Sequence, residues 1–203
     1  MSRNPVQVRD AAPDDVSALI DIWSELARRS TDRAVGAGPA DEARNAVARV
    51  AADPDERLLV GTVDEEVVGA AHLVRSRISP LQTETAIYVN HLHVLPHHRR
   101  RGVGRALIEA AVTWAEEKDT THLLAAATAH SRDANRFLAR LGLAQVATIR
   151  AATVGALRAR LPVEAPACAR VTSRNHRSVG QVLAQRRSLR RAQSGSTGEP
   201  TTL

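Results

Sequence analysis

Val6-Gln7-Val8-Arg9 alternates apolar and polar positions and predicts a short, half-buried first strand. Ala12-Pro13-Asp14-Asp15 then opens a helix, with proline and acids in the first turn where the macrodipole favours them. Val16, Leu19, Ile20, Trp23 and Leu26 recur at helical spacing and define one buried face. Gly36, Gly38 and Pro39 mark a loop over residues 31–40, and Ala43, Ala46, Val47 and Val50 predict a second helix from Asp41 to Ala52. Arg57 to Val63 and Val67 to Val74 read as the two strands of a hairpin around Asp64-Glu65-Glu66. The turn lacks the favoured Asn-Gly pair, so its type is not fixed by sequence.

After a break at Ser79-Pro80, Ala86 to Val94 reads as a strand that Pro96 ends, because proline cannot donate to a ladder. Val103, Leu107, Ile108, Ala111, Trp114 and Ala115 form the apolar stripe of a long helix from Gly102 to Lys118. Thr121 to Ala127 follows as a buried strand, expected to run parallel to the preceding one because a helix intervenes. A further helix begins near His130-Ser131 and stops at Gly142, and Leu143 to Arg150 is expected to be a strand. Ala151 to Leu161 looks helical up to Pro162. Cys168 to Thr172 could supply one more strand, and Val179, Val182, Leu183 and Leu189 set a helical pattern over residues 178–193.

Composition narrows this picture. The chain of 203 residues suits one domain plus an appendage, and with 43% hydrophobic but only 2% aromatic residues its core is aliphatic. Arginine replaces lysine almost everywhere, Lys118 being the exception, a usage associated with high-GC bacterial genomes. The single cysteine, Cys168, excludes an internal disulfide and suits a reducing, cytoplasmic setting. No apolar run approaches the ~20 residues of a membrane span, and the first residues lack a signal-peptide core. The net charge of +6 is carried by residues 165–203, where seven arginines face one glutamate, so the body is formally neutral. Any nucleic-acid contact is therefore expected through this basic tail only. Its Arg186-Arg187 and Arg190-Arg191 pairs, four apart, also suit an anionic surface.

The chemistry concentrates in His91-Leu92-His93-Val94-Leu95-Pro96-His97-His98-Arg99-Arg100-Arg101-Gly102-Val103-Gly104-Arg105. Strand, basic glycine-containing turn and helix is an arrangement that cradles phosphates: glycines allow close backbone approach, and the first helical amides have no internal partner. It is not a Walker loop, because no Gly-Lys-Ser/Thr follows, and not a dinucleotide fingerprint, because Leu107 stands where the third glycine belongs. Four histidines, 91, 93, 97 and 98, do not have zinc spacing and no cysteine joins them, so no metal is expected. His97 and His98 are expected on the rim of the loop.

Arg99-x-x-Gly102-x-Gly104, five residues after Val94, resembles the acyl-CoA-binding motif R/Q-x-x-G-x-G/A of the GCN5-related N-acetyltransferase (GNAT) superfamily. Ser131 to Leu143 resembles a second family segment, N-x-x-A-x-x-φ-Y-x-x-x-G-F: Ala134, Phe137 and Gly142 fit, Leu143 is a mild variant, and Ser131 replaces the asparagine, with Asn135 one turn on. Leu138 replaces the tyrosine that serves many members as general acid. The resemblance covers about residues 6–150. It implies an α/β fold of the α+β type, with a mixed central sheet of about six to seven strands flanked by helices over residues 1–161. Residues 162–203 would be a basic, Arg-rich extension, partly helical and disordered at its end.

The implied activity is acetyl-CoA-dependent acetylation of an amine by direct transfer in a ternary complex. The alternative is a non-catalytic acyl-CoA-binding regulatory module whose tail docks on nucleic acid or a protein. The resemblance assigns cofactor contacts to the backbone of Leu92, His93 and Val94, to Arg99, Arg100, Arg101, Gly102, Val103, Gly104 and Arg105, and to Ser131 and Asn135. Val94 N–H would polarise the thioester carbonyl. For the general base, His91 leads, followed by Tyr88 and Glu84. Strand alternation puts Tyr88 and Asn90 on one face and His91 and His93 on the other, unless a bulge changes the parity. Arg28, Arg29, Thr31, Asp32 and Arg33 fall where family members line the acceptor site. The acceptor, a small-molecule or protein amine, stays open, as does a homodimer.

Overall fold

The computed structural model of the chain describes residues 5–29, 38–128 and 131–161. In chain order the elements are β1 (Gln7–Asp10), a 3-10 turn (Pro13–Asp15), α1 (Val16–Arg29), α2 (Ala40–Ala52), β2 (Glu56–Val63) and β3 (Glu66–Arg77). There follow β4 (Thr85–Val94), a second 3-10 turn (Pro96–His98), α3 (Val103–Glu117), β5 (His122–Ala125), α4 (Arg132–Arg140) and α5 (Val154–Arg160). Residues Met1–Ile149 form one compact unit and those from Arg150 onward a second. The expected strand at Cys168–Thr172, the helix over 178–193 and most of the loop after α1 (Thr31, Asp32, Arg33) lie outside the described residues.

The sheet has the order β1-β2-β3-β4-β5. The first four strands pair antiparallel and β5 joins β4 in parallel, as the intervening α3 requires, so the sheet is mixed. One face buries Val16, Leu19, Ile22 and Val47 of α1 and α2 against Val60 and Ala70. The other packs Val103, Leu107, Ile108, Ala111 and Trp114 of α3, with Leu138 of α4, against Leu59, Leu73, Ile87 and Val89. The aliphatic stripes in the sequence are therefore the core, and each helix presents its apolar face to one side of the sheet. Among the described residues no helix is long and apolar enough to cross a membrane.

Two local features differ from, or complete, the sequence expectations. The β2–β3 turn places both Asp64 (φ 53°) and Glu65 (φ 67°) in the left-handed region, the pairing a type I′ hairpin demands even without Asn-Gly. Five strands are present among the described residues rather than six to seven, because Leu143–Arg150 forms none. Leu143, Val146 and Ile149 recur every three residues, a spacing that a period of two sends to opposite faces. Val146 and Ile149 accordingly stand 80% and 85% exposed. Only the start of the segment is tied down: Leu143 N–H donates to Leu138 O at 3.1 Å and Gly142 takes φ 89°, which closes the C-terminus of α4.

The beginning of α3 lies directly on the strands. A Cβ on Gly61 would come within 2.9 Å of Val103 Cγ1, and one on Gly69 within 3.0 Å of both Val103 Cγ1 and His93 O. These two glycines let the helix N-terminus approach the sheet and so fix where the Arg99–Gly104 turn sits.

Candidate active site

The site begins where β4 parts from β5. The two strands are paired from Ala86↔His122 to Val89↔Ala125, and Ala126 N–H still donates to Val89 O at 3.0 Å. β4 then continues alone to Val94. Leu95 N–H donates to Val68 O on β3 at 2.9 Å, so the Val94 peptide edge points the other way, into the opening between β4 and β5. Leu92, two residues back, presents its edge in the same direction. Arg99 reaches back into this corner, its Nε donating to Val94 O at 2.9 Å.

The turn after β4 leads into the N-terminus of α3. Arg100 (φ 61°) and Gly102 (φ 95°) are both left-handed, with Gly102 as the N-cap. The helix bond from Ala106 N–H to Gly102 O, 2.9 Å, leaves the amides of Val103, Gly104 and Arg105 without intrahelical acceptors. Gly104 is packed close: a Cβ there would meet Phe137 Cζ at 3.5 Å. Arg100 and Arg101 are exposed, and Arg105 Nε donates to Glu109 at 2.8 Å along the helix surface. Ser131 and Asn135 stabilise the entry into α4. Ser131 Oγ accepts from Ala134 N–H at 3.4 Å, and Asn135 Nδ2 donates to Thr128 O and Ser131 O at 3.0 and 2.9 Å. Leu138 is buried in the core beneath α3 and carries no proton to donate.

The candidate bases fall in different places. A bulge interrupts the β3–β4 register between Ala70↔His93 and His72↔Asn90, and His91 takes φ 51° there. It changes the parity: Tyr88 opposite Val74, Asn90 opposite His72 and His93 opposite Ala70 all belong to the face covered by α1 and α2. His91 joins them, its ring 6.0 Å from Trp23 of α1 and 6.3 Å from His72 of β3. Tyr88, Asn90, His91 and His93 thus share one face instead of dividing between two. Burial, and then the neighbouring His72, push the His91 pKa below that of an ordinary histidine. His93 is 7% exposed.

Glu84 is not brought to this group. It precedes the far end of β4, roughly 20 Å of strand from His91, where its Oε1 accepts from Thr121 Oγ1 at 2.9 Å and lies 3.1 Å from His122 Nδ1. His97 and His98 line an open depression of about 400 Å³ with Asp21, Ser24, Glu25 and Glu66, facing α1.

Sequence reading missed His72 and Glu56. His72 Nε2 lies 3.2 Å from Glu56 Oε2 on β2, and Arg49 of α2 donates to the same oxygen at 3.2 Å. The strand register brings His72 beside His91 and Glu56 beside His72, and no motif announces it.

A family model described as "Acetyltransferase (GNAT) family" matches residues 20–143. Comparison with curated protein sequences gives no match. Among solved structures, a transcriptional regulator from Bacillus halodurans C-125 superposes with a TM-score of 0.63 at 19% identity, over 73% of this chain and 100% of that one. An aminoglycoside N-acetyltransferase in complex with CoA gives 0.61 at 14% identity, over 74% and 95%. The ribosomal-protein-alanine N-acetyltransferase of Brucella melitensis biovar Abortus 2308 gives 0.57 at 18%, over 73% and 99%. At these identities the likeness is one of fold.

Proposed function

Because the chain belongs to the acetyltransferase (GNAT) family, we propose that it is an N-acetyltransferase that moves the acetyl group of acetyl-CoA directly to an amine bound beside it. The observation that carries this reading is the coincidence of three features on one strand. β4 leaves β5 after Val89, it bulges at His91, and it ends at Val94 beside a left-handed turn that leads into the unpaired first amides of α3.

The donor's fit rests on backbone. The free edges of Leu92 and Val94 offer an extended ligand the ladder bonds that β5 no longer makes. Val94 O is already held by Arg99, so Val94 N–H is the group left to polarise a carbonyl placed in the opening. The amides of Val103, Gly104 and Arg105, at the positive end of α3, suit a pyrophosphate, with Arg100 and Arg101 exposed beside them. Bound there, acetyl-CoA supplies an activated acyl group.

His91 takes the proton of the attacking amine. Its lowered pKa favours the neutral ring, which can accept a proton, and the residue is exposed to solvent. Tyr88 shares the face but sits three residues back along the strand. Leu138 offers the leaving group no proton, and a thiolate of reference pKa about 8.5 can depart without one. Ser131 and Asn135 serve by holding the start of α4 against the cofactor side of the opening.

That same Leu138 favours a second reading, an acyl-CoA-binding regulatory module without turnover. Coenzyme A release from acetyl-CoA over a panel of small and peptide amines separates the two. Saturable, amine-dependent release is expected, and tight acetyl-CoA binding with no release on any amine would overturn the enzymatic reading.

A further inference from the structure

The group His72–Glu56–Arg49 has no part in either family motif, yet it meets the candidate base across the sheet. We propose that His72, held by Glu56, is a positioning residue that fixes the His91 ring and keeps it in the proton-accepting form. The proposal rests on His91 being the base.

Geometry makes the case. His91 is a non-glycine residue at φ 51° in a strand, a conformation that persists only where its surroundings over-determine it. The bulge in the β3–β4 register imposes it, and two rings flank the side chain it presents. Trp23 of α1 stands 6.0 Å away at 42°, and His72 of β3 stacks at 6.3 Å and 20°. The stack would be loose if His72 could turn. Its Nε2, donating to Glu56 Oε2 over 3.2 Å, prevents this. Glu56 is in turn held by Arg49 at 3.2 Å, and the His72 and Glu56 side chains are only 22% and 20% exposed. The His91 ring thus lies against α1 and β3 while the residue stays exposed to solvent, and β2 and α2 reach it only through His72, by way of Glu56 and Arg49; Tyr88, Asn90 and His93 share its face on β4.

The electrostatic consequence has a definite sign. The rings facing His91 are Trp23, which is neutral, and His72, whose influence opposes a positive charge on His91. Burial disfavours a proton on His91, and His72 adds to that. Asp or Glu in place of His72 would do the opposite. The stacked, nearly parallel rings do not form a hydrogen bond to each other, so His72 acts on His91 through packing and charge rather than by receiving its proton directly.

The test uses the full chain with histidine rings labelled for NMR, the His91 signal being assigned by its loss in His91→Gln. His72→Phe keeps a stacking ring but removes the charge and the bond to Glu56. The expected result is an upward move of the His91 titration midpoint, with acetyl-CoA affinity unchanged by calorimetry. With any amine that is turned over, the acid limb of kcat/KM should move up in step. His72→Gln, which keeps a hydrogen-bonding group but no ring, should lower kcat, up to about 10²-fold, without changing KM for acetyl-CoA. An unmoved His91 midpoint in His72→Phe would overturn the proposal. A moved midpoint with an unmoved rate profile would uphold the His72–His91 coupling and sink the assignment of His91 as base.

Discussion

Gly102 and Gly104 stand two residues apart in one motif, but the structure asks different things of them. Gly102 has φ 95° and open space where a Cβ would go, so Gly102→Ala meets no clash and its whole cost is conformational. Holding an L-residue left-handed costs about 1–2 kcal/mol. At about 2–4 °C per kcal/mol for a chain of this size, the melting temperature should fall by roughly 2–8 °C. If the turn relaxes instead, the same energy is lost from binding, which weakens acetyl-CoA by roughly 5- to 30-fold. Gly104 lies within α3, and its Cβ would sit 3.5 Å from Phe137 Cζ and 3.8 Å from Val94 Cγ2, ordinary contact distances. Gly104→Ala should therefore keep its affinity and gain about 0.4–1 kcal/mol. Thermal denaturation and calorimetric titration with acetyl-CoA read both quantities. Equal damage from the two variants would refute the reasoning, since it would make the missing side chain at Gly104, not the left-handed turn at Gly102, the essential feature.

Three further outcomes follow from the packing and charge of the same unit. Gly69→Ala should cost about 1–3 kcal/mol by overpacking, because its Cβ would stand 3.0 Å from both His93 O and Val103 Cγ1; urea denaturation checks this. Asp64→Asn with Glu65→Gly should stabilise the hairpin by about 0.5–2 kcal/mol, because both positions are left-handed, and a higher melting temperature would show it. Asp15, buried, accepts two bonds from Arg9 at 2.6 and 2.8 Å and one from Ala12 N–H at 2.7 Å, and Arg9 first of all holds its pKa below the usual carboxylate range. Its stabilisation is fully present above the unfolded value of about 3.9 and is lost as pH falls through the lower folded value. Asp15→Asn should thus cost about 1–2 kcal/mol at pH 7, with the half-exposed Arg9 limiting the effect, and should flatten the acid limb of stability measured below about pH 4.

What could be read from sequence was local. Arg99-x-x-Gly102-x-Gly104 and Ala134 to Gly142 carry their meaning within one turn or one helix, and the left-handed glycines at 102 and 142 are where those patterns put them. The stripes of α1, α2 and α3 likewise need only a period of 3.6 to reveal their buried faces. The face of His91 could not be read, because one bulged residue inverts the parity of everything beyond it. His72 and Glu56 were invisible for a related reason: the nearness of Glu56 to His72, and of His72 to His91, is a matter of register between three strands. Leu143–Arg150 misled because β-prone composition outweighed its three-residue spacing, while Asp64-Glu65 shows a turn geometry imposed by the strands on residues that do not favour it.

Stopped-flow or endpoint measurement of coenzyme A release, with acetyl-CoA and a panel of amines, tests the central claim most directly when wild type is compared with His91→Gln. The account predicts amine-dependent release by the wild-type protein and a loss of about 10²–10⁴-fold in the variant, recovered in part by raising pH, with acetyl-CoA bound equally by both. Turnover that survives in His91→Gln with an unchanged pH profile would contradict it, as would a wild-type protein that does not bind acetyl-CoA.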